Sequence, residues 1–391
     1  MRVAFMLIGG KNWTGGYNYL LNLVRVLAAH AAGRITPILF FGADTAPEEA
    51  LPFSAIAGAE VVRSAVMNQA RKPRSLLASV VLGRDAAARA LFEQHRVDVV
   101  FEAAQFFGAR IGLPAIAWIP DFQHRYLPQM FSRAGYWKRD IGFRAQVAAG
   151  RCIMLSSEDS RQSCERLYPG SAGRTSAVRF AVPPGPPVAA AEARALADSY
   201  GLPEHFFFMP NQFSQHKNHM LVLRALALLR ERGHPVVVAA SGKPMDARNP
   251  AYFGAVQGTI ASLGLQQELR LLGMIPTPHL AALMRASVAL LNPSLFEGWS
   301  TTVEEARSSG TPMLLSDLAV HREQAGDQAR YFDRTSAASL ADALRAFEVL
   351  SPPQREQLAA AARGDAEQRV RRFAAEFVAV AQRCLAGAQR P

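Results

Sequence analysis

Two carboxylates eight residues apart, Glu297 and Glu305, stand in the string NPSLFEGWSTTVEEARSSGTP at residues 292–312. Between them lie Gly298, Trp299, Ser300, Thr301 and Thr302, then Val303 and Glu304. The apolar residues 288–291 just before the string read as a buried strand, and 301–308 read as a helix. Thr301 and Glu304 have capping-box spacing, which predicts a helix start at Ser300 or Thr301. Glu297 then sits in the strand-to-helix turn and Glu305 about one turn inside the helix. Free amide N–H groups at a helix start favour an anion. A loop carboxylate, an anion-binding helix end and a second carboxylate can together hold a sugar, a diphosphate and a ribose. An ordinary acidic helix face is the alternative that a glutamate pair alone leaves open.

Three further segments carry reactive or charged side chains. Residues 211–219, NQFSQHKNH, follow a strand and offer Lys217 as a compact cation and Gln212 as a neutral donor. His216 and His219 lack a third ligand, so they read as histidines of the surface or of the supporting shell rather than a metal site. Residues 118–131, WIPDFQHRYLPQMF, set the polar cluster Asp121, Gln123, His124 and Arg125 among apolar neighbours. Ser156, Ser157 and Glu158 lie after a strand, but no G-x-S-x-G context makes either serine a nucleophile.

These side chains need a scaffold. Residues 3–8 read as a strand, Gly9, Gly10, Gly15 and Gly16 as a loop, and 17–29 as a helix. Strand, glycine loop and helix open a nucleotide-binding α/β layer, although the spacing is not a G-x-G-x-x-G fingerprint. Strands are expected at 35–41, 97–101 and 116–119, and one helix over 76–92. VPPGPPV at 182–188 is the densest Pro/Gly stretch and reads as an interdomain linker. A second set of strands is expected at 206–209, 236–240, 269–272 and 288–291. Such alternation predicts mostly parallel sheets covered on both faces. The tail, 368–385, is amphipathic through Val370, Phe373, Phe377, Val380 and Ala381. The expected domains are 1–182, 183–366 and a terminal helix in 367–391.

Length and composition agree with two cores: 391 residues, half of them hydrophobic. No run of 18 apolar residues occurs, which argues against a membrane-spanning segment. MRVAFMLIGG reads as a first strand and turn rather than a signal peptide. Cys152, Cys164 and Cys384 suggest neither a disulfide framework nor a zinc site, and a reducing cytoplasm fits them. The net charge of +11 points to anionic partners: nucleotide diphosphates, anionic lipid or nucleic acid. No nucleic-acid motif accompanies it, so a nucleic-acid partner is not expected. Arg71, Lys72, Arg74 and Arg84 surround LLASVVL, and Arg133, Lys138, Arg139 and Arg144 flank Tyr136 and Trp137. Such interleaving suits an anionic membrane surface, and an ordinary solvated face equally.

The string EGWSTTVEEARSSGTPML at 297–314 resembles the E-x7-E motif of retaining family-4 (group 1) glycosyltransferases, typified by EGFGLPVLEAMACGTPVV. The resemblance implies a GT-B architecture, α/β with two Rossmann-like domains facing each other across a cleft. It places Glu297 by the donor sugar, Glu305 on the ribose hydroxyls, and the amides of 299–302 with Gly298 at the diphosphate. It matches Lys217 and Asn218 to the Lys and Asn of GRLSPEKN, with Gln212 in place of an arginine. IPDFQH resembles a segment of one bacterial branch. Asp121 matches that family's Asp, Pro120 stands where its His would be, and His124 is the substitute imidazole. Gly15 and Gly16 are implied near donor phosphates or acceptor, and the terminal helix is implied to return to the first domain.

The implied reaction moves a sugar from GDP-mannose or a UDP-sugar to a glycan or lipid-linked acceptor, in bacterial envelope polysaccharide or lipopolysaccharide synthesis. The implied place is the cytoplasm, peripheral to the inner membrane face. No D-x-D motif appears where expected, so no metal or other cofactor is expected. A sugar-nucleotide epimerase and a non-catalytic nucleotide-sugar-binding protein are the alternatives.

Overall fold

The computed structural model describes residues 1–8 and 14–388. Gly9 and Gly10 lie outside the described residues. The chain forms two compact units: Met1–Phe122 with Gly135–Phe180 and Arg369–Pro391, and Gln123–Ala134 with Ala181–Gln368.

The first unit is built on seven parallel strands: β1 Arg2–Met6, β2 Thr36–Gly42, β3 Glu60–Ser64, β4 Val99–Ala103, β5 Ala115–Ile119, β6 Cys152–Leu155 and β7 Thr175–Ala177. Their order is β3-β2-β1-β4-β5-β6-β7. Strands β4 and β5 are buried at every position, as a sheet covered on both faces requires. The terminal part of the helix Pro352–Ala388 packs into this unit. Its Phe377 stacks on Phe5 at 5.8 Å and lies 5.8 Å from Phe101, while Phe373 meets Phe180 at 5.7 Å. The amphipathic stripe at Val370, Phe373, Phe377, Val380 and Ala381 is wholly buried. The helix starts at Pro352, well before the expected 367, because the alanine-rich stretch favours helix in the absence of any interior proline beyond Pro353.

Two sequence expectations are corrected in this unit. The single helix over 76–92 is two, Lys72–Val81 and Ala86–Gln94. Gly83 takes φ of +72° between them, and Asp85 caps the second by accepting from the N–H groups of Ala87 and Ala88 at 3.1 Å. Gly15 and Gly16 are in the first turn of the helix Thr14–His30, not in a loop before it.

A buried ion pair braces the loop after β4. Arg151, 5 % exposed, donates from Nε to Glu102 Oε2 at 2.8 Å and from Nη2 to Oε1 at 3.0 Å. It also reaches the Gly108 carbonyl at 2.8 Å, and Glu102 accepts from the Phe107 N–H at 3.1 Å.

The second unit has six parallel strands: β8 Phe207–Met209, β9 Val238–Ser241, β10 Leu269–Gly273, β11 Ala289–Asn292, β12 Met313–Ser316 and β13 Ala329–Phe332. Their order, β10-β9-β8-β11-β12-β13, reverses between β8 and β11. Alternate residues feed opposite cores: Phe207, Met209, Ala289 and Leu291 on one face, Phe208, Leu290, Met313 and Leu315 on the other. VPPGPPV is irregular coil and lies wholly in this unit, so Val182, expected to end the first domain, belongs to the second. The segment Gln123–Ala134 also belongs here, although the sequence reading set it in the first domain. Arg248 holds it by donating to Gln123 Oε1 at 2.6 Å and lying over the Phe131 ring, and Tyr126 stacks on Phe296 at 5.3 Å. Among the described residues no helix is long and apolar enough to cross a membrane.

Removing Glu102 strands a buried guanidinium. Glu102→Ala is expected to destabilise the protein by about 3–5 kcal/mol, read as a lower denaturation midpoint in urea. An unchanged midpoint would show that the pair is not what holds the loop.

Candidate active site

The point where strand order reverses is where an open parallel sheet leaves a crevice beyond its carboxyl ends. In the second unit the loops leaving β8 and β11 meet there, and they carry NQFSQHKNH and NPSLFEG. Backbone and side chains lock them together. The Leu295 N–H donates to the His216 carbonyl at 2.8 Å. Asn218 adopts the left-handed conformation, φ 60° and ψ 38°, at the start of the helix His219–Glu231. Its Nδ2 donates to the carbonyls of Pro293 at 3.2 Å and Arg334 at 3.0 Å. Gly242, with φ of +149°, lets the end of β9 come close to the same loop: a Cβ there would stand 2.5 Å from the Asn211 carbonyl oxygen.

These ties bring Lys217 and Glu297 into contact. Lys217 Nζ lies 2.5 Å from Glu297 Oε1, with the side chains 16 % and 10 % exposed. Ser294 Oγ lies 2.7 Å from the same oxygen and 2.6 Å from Asn292 Oδ1. Burial works to raise the Glu297 carboxyl. The positive charge of Lys217 overcomes it and holds the carboxyl below its ordinary range. Glu297 is therefore an ionised acceptor with its orientation fixed from two sides.

The helix Thr301–Ser309 begins beside this pair. Its N-cap is Ser300, and the expected capping box at Thr301 and Glu304 does not form. Ser300 Oγ accepts from Asn292 Nδ2 at 2.8 Å instead of capping. Gln324 fixes the N-cap residue itself, accepting from the Ser300 N–H at 3.3 Å and donating to its carbonyl at 2.8 Å. Glu304 turns inward, fully buried, to Arg307 at 3.0 Å and Gln324 at 3.2 Å.

Glu305 is different. It is only partly buried and has no hydrogen-bond or ion-pair partner among the described residues. Burial without a compensating partner pushes its carboxyl up to about 7. Gly298 and Ser300 are buried, Trp299 and Thr302 half-buried, and Thr301 exposed. The helix ends at Gly310, φ +69°, where a Cβ would lie 2.6 Å from the Leu358 carbonyl oxygen of the long terminal helix.

The remaining candidates lie elsewhere. Gln212 is exposed. Asp121, in the first unit, is held by Arg139 at 2.8 Å. His124 is in the second unit, completely buried, with its ring 6.3 Å from that of Phe131. Gly15 and Gly16 are in the first unit, exposed and buried respectively. His219 stacks on Phe213 at 4.4 Å, and burial pushes it down to about 3, so it is a neutral core ring. Among the described residues no cluster of His, Cys, Asp and Glu could hold a metal ion.

Sequence reasoning missed Asn292, Ser294, His321 and Gln324. His321 is buried, kept neutral by burial, and hydrogen-bonds through Nδ1 to the Ser316 carbonyl at 2.8 Å. Ser316 Oγ in turn donates to the Ser294 carbonyl at 2.7 Å. Asn292 and Ser294 stand inside the quoted motif, where a polar residue closing an apolar strand was an available signal. His321 and Gln324 come from a helix that no motif marks.

Residues 196–365 match the family model described as glycosyl transferases group 1. They form a group 1 glycosyl transferase domain. It is a domain of the transferase class of enzymes and coincides with most of the second unit. A candidate glycosyltransferase of Bacillus subtilis (strain 168), EpsF, is 31% identical over 117 residues, covering 29% of this chain. That match spans 28% of the length of EpsF. A glycosyltransferase from Rickettsia africae superposes with a TM-score of 0.73 at 14% identity, over 98% of both chains. HepE from Anabaena, solved with UDP and glucose, superposes with a TM-score of 0.67 at 17% identity, again over 98% of both. These likenesses show the fold, that of GT-B glycosyltransferases with two Rossmann-like units.

The Glu305 carboxyl gives a pH signature. Its proton is held to about pH 7 in the folded chain but to about 4.5 when unfolded. Between those values the folded state carries the extra proton, so stability falls as pH rises, by up to about 1.4 kcal/mol per unit. Glu305→Gln is expected to remove that slope in ligand-free denaturation curves at pH 4.5 to 7. Superimposable pH profiles of the two proteins would show that Glu305 titrates normally.

Proposed function

We propose that the protein moves a sugar from a nucleoside diphosphate sugar to a glycan or lipid-linked acceptor, with retention of anomeric configuration, as family-4 enzymes do. The observation that carries this is the Lys217–Glu297 pair at the switch point of the second sheet, with an unpartnered Glu305 on the adjoining helix. A ribose presents two vicinal hydroxyls, and a carboxylate without other partners is their natural acceptor. Lys217 and the N–H groups of Thr301 and Thr302 at the helix start supply positive charge for a departing diphosphate. Glu297 stands at the sugar, where its fixed ionised oxygen accepts from a hydroxyl.

In the front-side course we favour, the acceptor oxygen bonds to the anomeric carbon on the face from which the phosphate oxygen leaves. The leaving phosphate takes the acceptor's proton. Lysine and helix amides provide the neutralisation that a divalent ion provides elsewhere, so turnover should survive chelation with EDTA. HepE was solved with UDP, and a UDP-sugar or GDP-mannose suits the site proposed here. The setting we favour is bacterial envelope polysaccharide or lipopolysaccharide synthesis, with the protein in the cytoplasm at the inner face of the membrane.

Thermal shifts with UDP, GDP, dTDP and ADP test the reading on wild type and Glu305→Ala. A nucleotide at 100 times its dissociation constant stabilises by about 2.7 kcal/mol. One nucleotide is expected to raise the Tm of wild type and to lose that effect in the variant. Equal shifts in both proteins would sink the ribose assignment, and no shift with any nucleotide would sink the donor site. With the donor so identified, Lys217→Ala is expected to lower turnover about 100-fold or more. Unchanged turnover would remove Lys217 from the leaving-group role.

A further inference from the structure

The helix Lys72–Val81, KPRSLLASVV, is built inside out. The side against the protein carries serines. Ser79 is 1 % exposed, and Ser75 Oγ donates to Asp85 Oδ2 at 2.5 Å. The outer side carries Leu76, Leu77, Val80 and Val81, followed directly by Leu82, all between 51 % and 67 % exposed. The spacings 76/80 and 77/81 place them in two adjoining rows on one face. A surface helix of a globular protein ordinarily does the reverse. One exposed aliphatic side chain needs no explanation, but five in a row mark an interaction surface.

The charge around this face is mostly positive, with Asp44 beside Lys72 the exception. Lys72, Arg74 and Arg84 are exposed. Arg110 is also exposed and lies beside Gly83, where a Cβ would come 2.7 Å from its Nε. Asp85 is the only acidic residue in positions 69–92. It is 1 % exposed, and its oxygens are occupied by Arg71, Ser75 and two backbone N–H groups. A second copy docked by two-fold symmetry would set these cations against their own images. A bilayer with anionic headgroups meets both features, since the cations find phosphates and the aliphatic rows enter the acyl boundary.

We propose that the helix Lys72–Val81 with Leu82, rimmed by Lys72, Arg74, Arg84 and Arg110, docks this protein on an anionic phospholipid surface. The link to a lipid-linked acceptor rests on the function proposed above, whereas the docking itself does not.

Co-sedimentation of the full chain with lipid vesicles tests this. The vesicles are phosphatidylcholine alone, or phosphatidylcholine mixed with phosphatidylglycerol. The chain is expected to bind only the mixed vesicles, and less tightly as salt is raised. Arg74→Gln with Arg84→Gln is expected to weaken partitioning about 30-fold, at the usual contribution of a cation near such a surface. Leu77→Ser with Val81→Ser is expected to weaken it at least about tenfold. Both double variants alter exposed side chains, so their Tm and nucleotide-induced shift should match wild type. The proposal is overturned if wild type ignores the mixed vesicles, or if both double variants bind them as wild type does. It is also overturned if wild type is a dimer that Leu77→Ser with Val81→Ser makes monomeric, with no vesicle binding by either. Vesicle binding without any nucleotide shift would support docking and count against the proposed transfer alone.

Discussion

An all-parallel sheet leaves its strands' carboxyl ends on one edge, and every connection must cross a face to return. The loops at that edge can meet only where successive crossovers part in opposite directions. In the second unit that place lies between β8 and β11, and the loops that carry Lys217 and Glu297 leave these two strands. A hydrogen bond from Leu295 to the His216 carbonyl and the two bonds from Asn218 then fix the loops relative to each other. Lys217 and Glu297 meet because the sheet topology leaves their loops no other neighbour.

The two glutamates of the helix beside them show how burial and partners divide labour between adjacent residues. Glu304 is deeper, yet Arg307 and Gln324 engage it. Glu305 is shallower and stands alone among the described residues, so its carboxyl keeps a proton far above the range of its class. A polar group left in that condition costs stability unless something outside the protein engages it. Asn292, Ser294 and Gln324 carry the cost of holding the helix start in place, which leaves Thr301 and Thr302 at the surface of the site.

Much of this was legible in the sequence because it depends on local pattern. Apolar runs of four to seven residues between polar segments gave eight strands in nearly their observed positions, and EGWSTTVEEARSSGTP marked the loop and helix that carry Glu297 and Glu305. What failed depends on contacts between distant residues. The capping box had the right letters, but Asn292 claimed the Ser300 hydroxyl and Arg307 and Gln324 claimed Glu304. The break at Gly83 was hidden inside helical periodicity, since only the positive φ and the Asp85 cap divide it. His124 was read as the substitute imidazole of the first domain, but it folds into the second unit and is fully buried, with its ring beside that of Phe131. His321 and Gln324 had no signal, because their helix meets the site only through folding.

Gly310 belongs to the same short string as the two glutamates but answers to a different demand. Its positive φ ends the helix, and the backbone of the terminal helix at Leu358 and Ala359 passes where any side chain would project. That requirement belongs to assembly of the unit and does not relax if the chemistry is lost. Under the function proposed above, a descendant that had abandoned sugar transfer could exchange Lys217 and Glu297 together and still keep Gly310. On that proposal the glycine at the end of such a signature dates the architecture, while the charged residues before it date the reaction, and the two can part company over evolutionary time.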